Sequence, residues 1–218
     1  MRDVMLAFPH AGEVKTEFML SVFDACTAPD SRVGELRDFR TGPALAQARN
    51  QISRIFLDSP YEWLWMLDSD MIISAATLPA LLAAASPEVM PVLGAMCFIQ
   101  AGPVQGQEIP NLYEAVRDPR DGRFTFKSLE RFPMGPPFRV AATGGACLLV
   151  HRSVFKRIEE ADPSYRGLWF AELTAEGYAF GEDFSFCMRC SQAGVPVHVH
   201  TGVQVAHTKS AVIGCVSP

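Results

Sequence analysis

YEWLWMLDSDMII, residues 61–73, is the stretch on which the reading of the whole chain turns. Trp63-Leu64-Trp65-Met66-Leu67 is a continuous apolar run of strand length, with no polar residue alternating through it. Such a run suits a central strand buried on both faces, as in a parallel sheet with helices on either side. It stops at Asp68-Ser69-Asp70. Two carboxylates two apart on an extended segment point the same way, because side chains alternate along a strand. Open α/β sheets gather ligands at the carboxyl ends of their strands. The pair therefore suits Mg²⁺ or Mn²⁺, which one or two carboxylates can hold while positions stay open for substrate phosphates. A polar turn leaving a strand would account for the same three residues.

The 218 residues allow one sizeable domain with a real core. Hydrophobic residues make up 49% and charged residues 20%, an ordinary balance for a globular protein. The net charge of −5 and pI near 5.5 argue against nucleic acid as a partner, since phosphate contacts rely on Lys and Arg. The opening MRDVMLAFPH reads as a short strand and loop, without the features of a signal peptide. Residues 71–85 are apolar but interrupted by Ser74, Thr77 and Pro79, and too short for a bilayer. A cytoplasmic chain with no membrane span is expected. Of six cysteines, Cys97 and Cys147 lie in strand-like runs and read as reduced core residues. Cys187-Met188-Arg189-Cys190 matches C-x-x-C but falls in a helical pattern with no second pair.

Residues 4–8 read as the first buried strand, followed by the loop Pro9-His10-Ala11-Gly12-Glu13. At a strand's carboxyl end that loop could meet a nucleotide or simply connect to the next helix, residues 17–27. Residues 33–39 form a candidate second strand. Thr41-Gly42-Pro43 looks like a helix start, with a capping hydroxyl and a proline in the first turn. Leu45, Ala48, Ile52, Ile55 and Phe56 continue that helix at the right spacing. Arg49-Asn50 on it would serve as solvated residues or, beside a nucleotide, as an anion partner and an amide reader. A helix over 75–85 and a strand over 90–98 complete a β-α-β-α-β-α-β order, hence a mostly parallel sheet. Residues 99–137 break the pattern, with a β-hairpin around Asp118-Pro119-Arg120-Asp121-Gly122 inserted in the sheet and a mobile loop over 131–137.

Thr143-Gly144-Gly145 precedes the apolar Ala146-Cys147-Leu148-Leu149-Val150, and paired glycines there permit close approach of a ligand or of backbone. A helix over 152–160 follows. Gly181-Glu182-Asp183 opens another helix, where acids are favoured by the dipole whether or not they do chemistry. Strands are expected over 195–200 and 203–209. His198 and His200 share a strand face and with His207 hint at zinc, although a solvent-facing edge strand explains them better.

Taken in order, the N-terminal strand with its Pro loop, ALAQARN, WLWMLDSDM, ATGGACLLVHRSVF, GEDFSFCMRCSQAG and VAHTKS resemble the GT-A glycosyltransferases, particularly the family 2-like enzymes. The resemblance covers nearly the whole chain except residues 99–137. It implies one α/β GT-A domain over 1–218, Rossmann-like, with a mostly parallel sheet flanked by helices. Residues 1–98 would form the nucleotide-sugar-binding half and 138–218 the acceptor and catalytic half. The implied activity is metal-dependent transfer of a sugar, with inversion, from a UDP- or GDP-sugar to a hydroxyl of a glycan, protein or small molecule. Asp68 and Asp70 would hold Mn²⁺ or Mg²⁺ on the diphosphate, with His207 as a further ligand. Pro9, His10, Glu13, Arg49, Asn50 and Ser69 would line the donor, and Lys209 would add positive charge. Asp183 matches the family's base and Glu182 its neighbour in acceptor binding, while Gly144 and Gly145 would lie near sugar and acceptor. A sugar nucleotidyltransferase, a non-catalytic sugar-binding module and a zinc hydrolase are the rival readings.

Overall fold

The computed structural model describes residues 2–42, 44–100 and 108–208. The first half runs β1 (Val4–His10), α1 (Thr16–Thr27), β2 (Val33–Arg40), α2 (Leu45–Leu57), β3 (Trp63–Leu67), β4 (Met71–Ile72), α3 (Thr77–Ala84), β5 (Val92–Met96), β6 (Phe98–Gln100) and β7 (Glu108–Pro110). The hairpin β8 (Tyr113–Arg117) and β9 (Phe124–Ser128) follows, then β10 (Pro137–Val140), β11 (Cys147–His151) and α4 (Ser153–Ala161). A second hairpin, β12 (Leu173–Ala175) and β13 (Tyr178–Phe180), leads into α5 (Glu182–Gln192), β14 (Val197–Gln204) and β15 (Ala206–His207).

Seven strands form the central sheet in the order β10-β14-β5-β11-β3-β1-β2. β1, β2, β3, β5 and β14 run the same way, and β11 and β10 run against them. The sheet is thus mostly parallel and draws on both halves of the chain. Its apolar runs have no polar alternation because helices cover both faces. Leu64 and Met66 of β3 pack in one core layer with Ile52, Phe56, Phe155 and Phe186. Trp63, Trp65 and Leu67 pack in the other with Phe18, Val22, Leu78 and Leu81.

Several local expectations change. The helix after β2 begins at Leu45 with no side-chain cap, because the Thr41 hydroxyl donates instead to the Gly42 carbonyl. The β8–β9 hairpin forms its own two-stranded sheet beside the main one rather than within it. The loop before β10 is tied down: Thr201 Oγ1 contacts the carbonyls of Pro133 and Pro136, and the Gly135 N–H donates to Thr201 Oγ1. β14 is a single strand over Val197–Gln204 lying between β10 and β5, so His198 and His200 are half-buried on an interior strand, not on a solvent-facing edge.

Candidate active site

Strand direction brings the singled-out segments together. β1, β2 and β3 end at one edge of the sheet, and antiparallel β11 begins there. Pro9-His10, Thr41-Gly42, Asp68-Ser69-Asp70 and Gly144-Gly145 therefore share that edge. A cavity of about 310 Å³ opens there, lined by Pro9, His10, Thr41, Gly42, Asp68, Ser69 and Asp70. Its size falls at the small end of ligand sites, roughly 300–1,000 Å³. His10 Nδ1 accepts the Gly12 N–H at 3.1 Å, which leaves Nε2–H to donate to Asp38 Oδ2 at 3.2 Å.

Asp68-Ser69-Asp70 is not extended. β3 stops at Leu67, the Asp68 N–H bonds to the Ala146 carbonyl, and the Met71 N–H closes a turn onto the Asp68 carbonyl at 3.2 Å. The two carboxylates share the cavity through this turn, and strand alternation plays no part. They also have different partners. Asp68 Oδ1 accepts from Arg49 Nη2 at 2.7 Å, whereas Asp70 Oδ1 lies 4.0 Å from His207 Nε2.

Arg49 joins three segments. Its side chain is 1% exposed, and besides Asp68 it donates through Nε to Glu182 Oε1 and through Nη1 to the Gly145 carbonyl, both at 3.2 Å. Burial alone would pull its pKa down, but the charges of Asp68, Glu182 and Asp183 outweigh that and hold it raised. The guanidinium fills the space that a side chain at residue 145 would need, since a Cβ there would lie 2.6 Å from Arg49 Nη2. At Gly144 a Cβ would meet nothing closer than Asp183 Oδ2 at 3.6 Å.

Asp183 lies in the first turn of α5, with Oδ1 accepting the Phe184 N–H at 2.8 Å. Burial raises its pKa, helped by the charge of Glu182; the Phe184 N–H, Arg49 and the Gly145 N–H pull the other way. Tyr113 of β8 is a site neighbour that sequence reading missed. Burial raises its phenol pKa, with the Asp183 charge adding to the effect, and its ring meets Phe184 edge-on at 4.8 Å. Nothing in the residues around Tyr113 announces this, because the contact is made only when the hairpin packs on α5.

His207 reaches Asp70 because β15 pairs antiparallel with β4, placing His207 opposite Met71. Its Nδ1 is 2.9 Å from the Phe98 carbonyl, an acceptor, so Nδ1 carries the proton and Nε2 keeps its lone pair on the Asp70 side. The 4.0 Å gap is too long for a hydrogen bond and of the size, roughly 3–4 Å, that separates two donors on one small cation. No group of three or more His, Cys, Asp or Glu side chains that could hold a metal occurs among the described residues. Asp68 is turned toward Arg49, so the expected trio of Asp68, Asp70 and His207 is not a prebuilt three-ligand cage. Oxygen and imidazole donors that leave most positions open still suit Mg²⁺ or Mn²⁺ shared with phosphates.

Residues 13–213 match the model of the family described as Glycosyltransferase like family 2. The chain belongs to this family. Among solved structures, this family 2 chain resembles GalNAc-T7 with UDP, GalNAc and Mn²⁺ (15% identity, TM-score 0.64), covering 99% of itself and 44% of that chain. A197 from STIV aligns at 17% identity and TM-score 0.55, over 96% of this chain and 87% of the other. CMP:2-keto-3-deoxy-manno-octonic acid synthetase complexed with CTP aligns at 12% identity, over 96% and 92%, with a TM-score of only 0.48. No curated protein matches. The two structures above 0.5 establish a shared fold: a mixed α/β architecture of GT-A type. No helix among the described residues is long and apolar enough to cross a membrane.

Other residues singled out in the sequence of this glycosyltransferase-family chain fare differently. Asn50 is no free amide reader: it is buried, donates through Nδ2 to the Phe170 carbonyl at 2.8 Å and accepts the Phe170 N–H at 2.9 Å. Arg49 is likewise a buried partner of carboxylates rather than an open anion contact. Glu13 is exposed and does not line the cavity at Pro9 and His10. Lys209 lies outside the described residues. Cys187 and Cys190 are buried free thiols, with burial pushing Cys187 up to about 12. Thr41 and Gly42, read as helix-starting residues, instead line the cavity; their place directly after β2 was the available signal.

Proposed function

We propose that this protein transfers a sugar from a UDP- or GDP-sugar to an acceptor hydroxyl, with inversion at the anomeric carbon. The observation that carries the reading is the meeting of Asp70 and His207 with Asp68 beside the 310 Å³ cavity, linked through Arg49 to the Glu182-Asp183 pair. The donor would occupy the cavity between Pro9-His10, Thr41-Gly42 and Ser69, its diphosphate toward Asp68 and Asp70. The presence of UDP and Mn²⁺ with the structurally similar GalNAc-T7 favours a nucleotide donor and a divalent cation by analogy.

Asp70 and His207, with the free oxygen of Asp68, would hold Mg²⁺ or Mn²⁺. That ion supplies Lewis-acid neutralisation of the leaving diphosphate. Asp183 accepts the proton of the attacking acceptor hydroxyl, and its raised pKa brings its basicity nearer the working pH. Glu182, fixed by Arg49 Nε, is placed beside it to orient the acceptor. The open face of Gly144 leaves room for sugar and acceptor near Asp183, whereas the space at Gly145 is taken by the Arg49 guanidinium.

Isothermal titration with UDP and GDP, with and without Mn²⁺, tests donor binding, and donor hydrolysis separates an enzyme from a sugar-binding module. Binding that needs Mn²⁺, together with slow donor hydrolysis, is expected. Equal affinity without metal would overturn the metal assignment, and an α-linked product from an α-linked donor would overturn inversion.

A further inference from the structure

A second cavity, about 540 Å³, lies apart from the donor-side cavity and shares no lining residue with it. The β8–β9 hairpin roofs it with Phe124 and Phe126, and α5 and β14 floor it with Met188 and Val197. The hairpin lies within residues 99–137, a stretch that the quoted sequence motifs do not reach although the family model spans it.

Three observations define what would fit. The lining is mainly apolar. Arg139 also lines it, and Arg157 donates to the carbonyl of Gly194, another lining residue, at 2.9 Å. Neither guanidinium has a carboxylate within ion-pair distance among the described residues. In a chain of net charge −5, two unpaired guanidinium groups beside an apolar hollow favour an anionic, amphipathic ligand. Finally, α5 ties the cavity to the proposed base. Asp183, Cys187 and Ser191 recur every four residues and so fall on one helix face, and Cys187 and Ser191 line the cavity. Asp183 to Ser191 spans eight residues, roughly 12 Å along the axis. Phe126 also walls a smaller cavity of about 220 Å³ that includes Gly181, next to Glu182-Asp183.

We infer that this cavity holds the apolar portion of the acceptor, and that the acceptor is an amphipathic molecule with an anionic group at Arg139. The acceptor role rests on the transferase reading above, whereas the binding site does not.

Titration of the full chain with octyl phosphate, octyl glucoside and inorganic phosphate, each below any micelle concentration and without donor or metal, tests the site. Octyl phosphate should bind one to one, about tenfold tighter than octyl glucoside, as a charge-assisted contact implies, and inorganic phosphate should not bind detectably. Arg139→Ala should bring the two alkyl compounds to equal affinity. Ala115→Trp, on an exposed hairpin position lining the cavity, should abolish both, and Ser191→Trp on exposed helix surface gives an independent block. No alkyl binding, unchanged binding in both Trp variants, or an unaltered preference in Arg139→Ala would overturn the site. Under turnover, octyl phosphate should raise the acceptor KM and leave the donor KM unchanged; the reverse would overturn the acceptor role. Loss of transfer with intact octyl phosphate binding would instead count against the transferase reading alone.

Discussion

Arg49 Nη2 donates to Asp68 Oδ1 at 2.7 Å from a side chain that is itself 1% exposed. One of the two carboxylates at the end of β3 is thereby held by a buried cation on α2, and the other, Asp70, is left to face His207. The same guanidinium holds Glu182, so the Asp68 end of β3 and the first turn of α5 are joined through one residue.

Arg49→Met should be strongly destabilising. Removing one partner of a buried ionic cluster leaves the others uncompensated, typically at about 3–5 kcal/mol. Asp68 and Glu182 side chains are 28% and 15% exposed, which places the expectation near the lower end. Urea unfolding measures it; a loss under about 1 kcal/mol would show that the cluster is not structurally important. Lys at 49 should rescue poorly, because an ammonium cannot reach three acceptors in the guanidinium geometry.

The two adjacent glycines should respond differently. In Gly145→Ala the new methyl would sit 2.6 Å from an Arg49 head pinned by three hydrogen bonds, so neither can move without losing contacts. A cost of roughly 1–3 kcal/mol is expected. Gly144→Ala meets only an ordinary 3.6 Å contact and should melt like the wild type. Equal melting temperatures for the two variants would contradict this account.

Asn50→Ala should lower stability by at least about 2 kcal/mol, since it leaves the buried N–H and carbonyl of Phe170 without partners. In the residual folded protein, UDP affinity should be unchanged. A selective loss of nucleotide affinity at unchanged stability would restore the amide-reader role expected from the sequence.

Asp183→Asn should separate catalysis from stability. A carboxyl whose folded pKa is raised contributes stability below its unfolded value, about 3.9, and loses that contribution as pH rises through the folded value. Ionised Asp183 is therefore a cost at neutral pH, which Asn relieves while still accepting the Phe184 N–H. The variant should melt at or above the wild type at pH 7, with the difference fading toward pH 4. Turnover should fall by about 10²–10⁴, and in the wild type the acid limb of kcat/KM should lie above the ordinary Asp range.

His207→Ala should weaken Mn²⁺-dependent UDP binding by at least about tenfold, given that even changes beyond the ligand shell cost that much. Unchanged Mn²⁺ dependence in the variant would leave His207 as a partner of the Phe98 carbonyl alone.

The sequence by itself determined the layered α/β architecture. An apolar run such as Trp63–Leu67 has no polar alternation, so only a strand covered on both faces can bury it, and helical spacing on either side supplies the cover. Its resemblance to the family 2-like GT-A enzymes also marked Asp68, Asp70, Gly144, Gly145, Glu182 and Asp183 as one group, although each alone reads equally as a turn or a helix start. Only the tertiary structure decided how these residues are used. Whether Asp68-Ser69-Asp70 runs extended or turns depends on the Asp68 N–H finding the Ala146 carbonyl 78 positions away. Whether Arg49 and Asn50 meet a ligand or the protein depends on Glu182 and Phe170, more than a hundred residues further along. Periodicity reports which face of an element is buried, but a buried polar side chain is satisfied by whatever donor or acceptor the fold brings to it, and that pairing is nonlocal.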